Sequence, residues 1–140
     1  MATSYGISFR LFEASLQRHD PAGYRLITTN DFTVESQVQL PLATPVLADC
    51  LGPWATPLAT DLPPKNLVDG TGGGHMGEFA LPRHGNRPNA VPTDWPSNQP
   101  LPGAVNVAFF DGHGQTVKLD NLWQLYWHAG YVPPAKRPGL

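Results

Sequence analysis

The stretch Val105-Asn106-Val107-Ala108-Phe109-Phe110-Asp111-Gly112-His113-Gly114-Gln115-Thr116-Val117-Lys118-Leu119 reads as two strands joined by a tight turn. Residues 105–110 are mostly apolar, Val117 and Leu119 resume a two-residue alternation, and Asp111-Gly112 supplies turn residues that accept positive φ. An antiparallel hairpin here commits the chain to a fold built on sheet. Immediately downstream, Asp120 is a good helix cap, and Leu122, Trp123, Leu125, Tyr126 and Trp127 predict the apolar side of a short helix from Asp120 to His128, ended by Gly130 and Pro133. The tail from Pro133 to Leu140 reads as frayed.

Upstream of the hairpin, residues 85–103 hold five prolines and two glycines and form a loop excursion. Met76 to Leu81 predicts a strand. Residues 51–74, punctuated by Pro53, Pro57, Pro63 and Pro64 and closing in Asp69-Gly70-Thr71-Gly72-Gly73-Gly74, read as a long ordered loop with Trp54, Leu58, Leu62 and Leu67 as apolar pins. Val46-Leu47-Ala48 is a buried strand with the carboxylate of Asp49 at its mouth. Residues 33–40 fit strand alternation imperfectly and equally allow a single helical turn ended by Pro41. Near the start, 5–11 alternates as a first strand, and Asp20-Pro21-Ala22-Gly23 before Tyr24 to Ile27 reads as a turn leading into a hairpin. The sum is an α+β fold: a small, mainly antiparallel sheet with long Pro/Gly-rich ordered loops and a short C-terminal helix, one domain over residues 1–140.

Composition narrows the function. With 140 residues, 16 prolines, 14 glycines and only 14% charged side chains, the chain carries a neutral, loop-rich surface around a core that 41% hydrophobic content can build. A net charge of −2 and no basic cluster beyond Lys136-Arg137 leave no electrostatic footprint for nucleic acid. No apolar run is long enough to cross a bilayer, and residues 1–20 lack the charged start, apolar core and cleavage site of a signal peptide. One cysteine, Cys50, excludes an internal disulfide and C-x-x-C chemistry, and reads as a small buried hydrophobe.

Familiar catalytic motifs are missing. No G-x-S-x-G elbow occurs, the glycine run at 70–74 lacks the lysine and hydroxyl of a phosphate loop, and neither H-E-x-x-H nor EF-hand spacing is present. The glycine run reads as a flexible turn. Asp49, Asp61, Asp69 and Asp111 lie at strand ends or in glycine-rich loops, where carboxylates serve either turn amides or a calcium ion. Trp54, Trp95, Trp123 and Trp127 offer sugar-stacking surfaces, although Trp123 and Trp127 lie four apart and read as core.

Arg83-His84-Gly85 followed by Asn106-Val107-Ala108-Phe109-Phe110-Asp111-Gly112 resembles the C-terminal signature of prepilin-type, processing-associated proteins, in which a histidine precedes Asp-Gly by nine residues. Ser4-Tyr5-Gly6, Thr44-Pro45-Val46-Leu47-Ala48-Asp49, Met76-Gly77, Pro102-Gly103-Ala104-Val105-Asn106 and Leu122-Trp123 through Trp127-His128 extend the resemblance over most of residues 4–134. It is specific in the last third and loose before residue 40. Here 26 residues separate His84 from Asp111, 17 more than the pattern, so the likeness carries a Pro- and Asn-rich insertion. The family's leader and long apolar membrane helix have no counterpart in this sequence, so the expectation is a soluble, pseudopilin-like head.

The resemblance implies a role in type II secretion or type IV pilus-like assembly or surface display outside the cytoplasm, in the periplasm or at the cell surface, with other pilin-like subunits or secretion components as partners. It leads us to expect the His84 imidazole donating to the Asp111 carboxylate across the sheet. Two alternatives use the same residues. In one, Asp111, Asp49 and a histidine hold a cation, for which the zinc spacings are the weaker signal. In the other, Asp49, His84, Asp111 and His113 gather around a bound Ca²⁺ or Zn²⁺ that activates water to hydrolyse a small ester, lactone or amide, with His84 or His113 as proton carrier.

Overall fold

A computed structural model describes residues 4–8, 32–52 and 54–140, with the side chains of 4–8 and Trp54 left aside. The expected hairpin over 20–27 and the pin at Trp54 lie outside this description.

Five strands form one sheet: β1 (Ser4–Ser8), β2 (Pro45–Cys50), β3 (Trp54–Ala55), β4 (Ala104–Phe109) and β5 (Gly114–Lys118), in the order β3-β1-β2-β4-β5. β1–β2, β2–β4 and β4–β5 are antiparallel, and only the two-residue β3 runs parallel to its neighbour. The hairpin predicted from 105–119 is present, with Asn106 facing Thr116 and Ala108 facing Gly114. Its turn closes through Phe109 N–H to His113 O (2.9 Å) and Gly112 N–H to Phe109 O (2.9 Å). Gly112 has φ of 92° with open space around it, so the turn needs glycine for its backbone conformation and not for packing.

Ala48, Cys50, Val105, Val107, Phe109 and Val117 project from one face of the sheet into the core. Against them lie loops and short 3-10 turns rather than α-helices. Leu67, Met76, Phe79, Leu119, Leu122, Trp123 and Trp127 are all buried, and the Phe79 and Trp127 rings meet at 4.7 Å. Burying apolar area stabilises by about 25 cal/mol per Å², so loops and short turns carrying two tryptophans cover a sheet as effectively as an α-helix does. Of the expected pins, Leu67 is buried, whereas Leu58 and Leu62 are exposed and the prolines 57, 63 and 64 take their place. Cys50 is buried as expected, and desolvation pushes its thiol up to about 11.

Four expectations change. Met76–Leu81 is not a strand: Gly74–Glu78 is a 3-10 helix that ends with Phe79 N–H on Met76 O (3.1 Å), and Gly77 N–H to Gly73 O (2.9 Å) and Ala80 N–H to Met76 O (2.9 Å) add wider turns, so this backbone is satisfied locally. The glycine run is not a loose turn either. A Cβ on Gly77 would lie 2.3 Å from Gly70 O, so the two segments cross where only glycine fits. The C-terminal helix is a 3-10 helix, Leu119–Gln124, shorter than the expected 120–128. Leu119, Leu122 and Leu125 recur every three residues and are buried together, which suits three residues per turn rather than 3.6. Asp120 is inside that helix and does not cap it.

The tail is not frayed. Arg137 is buried, and its guanidinium bonds the Asp120 carboxylate, Ser97 O (2.8 Å), Gln99 O and Pro138 O (3.0 Å). Asp120 also accepts Leu101 N–H at 3.0 Å. One ion pair thus ties the tail to both the 3-10 helix and the end of the 85–103 insertion. Over 33–40 the helical-turn option is the one taken, as a 3-10 turn at Glu35–Gln37.

Candidate functional site

The face of the sheet turned away from the core carries a polar cluster. Asp49 on β2 has a side chain only 12% exposed, and its Oδ2 accepts Asn106 N–H (2.8 Å) and faces His84 Nε2 (2.9 Å). His84 is placed by a backbone bridge: His84 N–H bonds Ala104 O and Ala104 N–H bonds His84 O, both at 2.9 Å. The 85–103 insertion is therefore a loop closed at its base, which delivers the imidazole to the beginning of β4. Asn106 Nδ2 lies 3.0 Å from His84 Nε2, and Thr116 Oγ1 on β5 lies 2.7 Å from Asn106 Oδ1.

Chemistry fixes the proton. A carboxylate only accepts, so the His84 nitrogen facing Asp49 carries the hydrogen. A half-turn of the Asn106 amide, which leaves its shape unchanged, then lets Oδ1 accept from Nε2–H and Nδ2 donate to Thr116 Oγ1. In that arrangement every member of the chain Asp49–His84–Asn106–Thr116 is matched. The His84 side chain is 44% exposed. Beside the cluster lies a shallow, open depression of about 370 Å³, lined by Leu47, Asn106, Ala108, Gly114 and Thr116 among others. The one hydroxyl at the cluster is engaged with Asn106, so the geometry binds strands together and leaves one partly exposed imidazole at the surface.

Asp111 and His113 make a second, separate pair in the β4–β5 turn. Asp111 Oδ1 accepts His113 N–H (3.2 Å) and lies 2.6 Å from His113 Nδ1, while the imidazole stacks on Phe109 with ring centres 4.4 Å apart. The side-chain hydrogen bond from His113, opposed by partial desolvation and helped by the backbone bond, holds the Asp111 carboxyl below its usual range. Its stabilising effect is therefore present above the unfolded pKa, about 3.9, and is lost as pH falls through the lower folded value. Asp111→Asn should flatten the decline of the thermal midpoint below about pH 4, measured by melting in a pH series. An identical acid limb in both proteins would refute that role.

The expected meeting of His84 with Asp111 does not occur. His84 sits with Asp49 and Asn106, five residues before Asp111, which along a strand is about 16 Å. The cause is topological: the insertion returns to the sheet at Ala104, so His84 joins the start of β4 while Asp111 follows its end. The four proposed metal ligands likewise split two and two, and among the described residues no group of three His, Cys, Asp or Glu side chains is placed to hold a metal ion.

Asp61 and Asp69 are occupied by loop amides. Asp61 Oδ2 accepts Leu58 N–H and Met76 N–H (both 3.0 Å), and Asp69 Oδ1 accepts Thr71 N–H (2.9 Å). Trp123 and Trp127 are core residues, with their indole N–H groups on Asp61 O and Leu122 O (both 2.8 Å). They are no sugar platform.

Asn106 stands inside the signature with no role of its own there, and Thr116 stands outside it. The hairpin register places those two opposite each other, and a polar pair within apolar alternation was the signal. Compared with protein-family models, curated proteins and solved structures, the chain matches none.

Proposed function

We propose that this chain is a structural head domain of the pseudopilin or pilin-like kind, acting in assembly or surface display outside the cytoplasm alongside other pilin-like subunits or secretion components. One observation supports the reading: the residues of the histidine and Asp-Gly signature each tie neighbouring segments of one small sheet together. His84, Asp49 and Asn106 lock the base of the insertion to β2 and β4, and Asp111-Gly112 closes the hairpin. A signature that holds strands together fits a scaffold, and the 17-residue insertion displayed on it fits a variable surface element.

The test is the reading frame immediately upstream of Met1. A short basic leader followed by a long apolar helix, in frame, is the expected result, because polymerisation of this class depends on that helix. An in-frame stop with no such helix would overturn the proposal. The metal-dependent hydrolase reading retains only the Asp49–His84 pair with its exposed ring. Chelator-sensitive turnover of a small ester that disappears in His84→Ala would move the conclusion there.

A further inference from the structure

We propose that a second copy of this chain pairs with the outer edge of β5, antiparallel, about a two-fold axis through Thr116. β5 is the last strand in the sheet, and Gly114, Gln115, Thr116 and Lys118 are exposed. Phe109 N–H bonds His113 O and Leu119 N–H bonds Gly103 O, so the odd-numbered positions of this ladder turn their backbone groups inward. By alternation, Gly114 and Thr116 direct N–H and C=O outward and Lys118 directs its N–H outward, while the Lys118 C=O, at the N-cap of the 3-10 helix, serves the first turn of that helix.

The usual devices that blunt an edge are missing. β5 contains no proline and no bulge, and its single charge, Lys118, is at its end. Paired with itself, the strand sets Thr116 against Thr116 of the second copy and Gly114 against Lys118 of the second copy. The threonine pair exchanges two bonds and each Gly114–Lys118 pair contributes one, from Lys118 N–H to Gly114 O, about four in all. Threonine pairs are favourable across strands. No like charges face one another, Lys118 lies over a residue without a side chain, and a net charge of −2 per chain adds little repulsion. The two-fold axis makes the contact isologous, and among the described residues the opposite edge of the sheet is the two-residue β3, too short to propagate the pairing, so it closes at a dimer. The pairing does not depend on the pilin-like reading.

A single strand pair is a small interface, so association is expected to be weak: mostly dimer at about 300 μM and monomer at about 5 μM by sedimentation equilibrium. Thr116→Glu sets two carboxylates against each other at the axis and should leave monomer at the higher concentration. Thr116→Lys should do the same, and an equimolar mixture of the two variants should restore a heterodimer. Circular dichroism checks that each variant keeps its fold. Independently, hydrogen exchange of the wild-type amides of Thr116 and Lys118 should slow several-fold between the two concentrations. A monomer at 300 μM, a dimer indifferent to Thr116→Glu, or edge amides whose exchange does not change with concentration would each overturn the proposal.

Discussion

Arg137→Ala is expected to lower the unfolding free energy by about 3–5 kcal/mol, the range for removing one partner from a buried ion pair. Arg137 is only 2% exposed, and its guanidinium meets the Asp120 carboxylate, three backbone carbonyls and, at 6.0 Å, the Trp123 ring. Truncation leaves the carboxylate, itself 24% exposed, without its cation and the carbonyls of Ser97 and Gln99 without their donor. Arg137→Lys should recover little, since an ammonium cannot serve carboxylate and carbonyls from one planar fork.

Urea unfolding followed by tryptophan fluorescence measures the loss. Limited proteolysis should show new cleavage within 96–101, the stretch this side chain pins. A variant with an unchanged urea midpoint and intact resistance to protease would mean that the tail contributes nothing to the fold.

Asp49→Ala is the second large effect, about 2–3 kcal/mol, in line with hydrogen bonds to a charged acceptor. The carboxylate stands in for a backbone acceptor: it takes Asn106 N–H, so its removal leaves a part-buried amide at the centre of the sheet unpaired and frees the His84 ring. Asp49→Asn keeps one acceptor oxygen and should cost roughly half as much, while His84→Ala should cost about 1 kcal/mol because that ring is partly solvated. In the NMR spectrum of Asp49→Ala, the Asn106 amide should exchange faster than its β4 neighbours. Equal stability of wild type and Asp49→Ala, with Asn106 still protected, would remove the lock from the account of this sheet.

Both effects involve contacts that local reading missed, for a shared reason. Asp120 looked like a helix cap because an acidic residue before an apolar run is the common pattern, but its carboxylate faces Leu101 N–H and Arg137, 19 and 17 residues away in the chain. His84 was assigned to Asp111 by likeness of spacing, yet its partner Asp49 is 35 residues back. The expected strand at 76–81 failed because its continuous burial suits a loop packed on all sides as well as it suits a strand. Where the deciding contact lay within a few residues, the expectation holds: the Asp111-Gly112 turn, β4 and β5 stand close to where alternation and turn chemistry place them, and β2 contains the apolar run 46–48, although Leu47 in it is exposed because the strand has only one face on the core.

Sequence alone determined the hairpin, the short strand ending near Asp49, the buried Cys50 and the dominance of loops over helices, because turn residues, side-chain alternation and proline act on the backbone where they stand. Tertiary structure alone decided which imidazole meets which carboxylate, which loop residues cover the sheet, and that Arg137 anchors the tail. Those outcomes depend on where a closed loop rejoins the sheet, here at Ala104, and on strand register. Loop closure varies only slowly with length, so 17 inserted residues were tolerated without their count revealing which end of β4 His84 would reach.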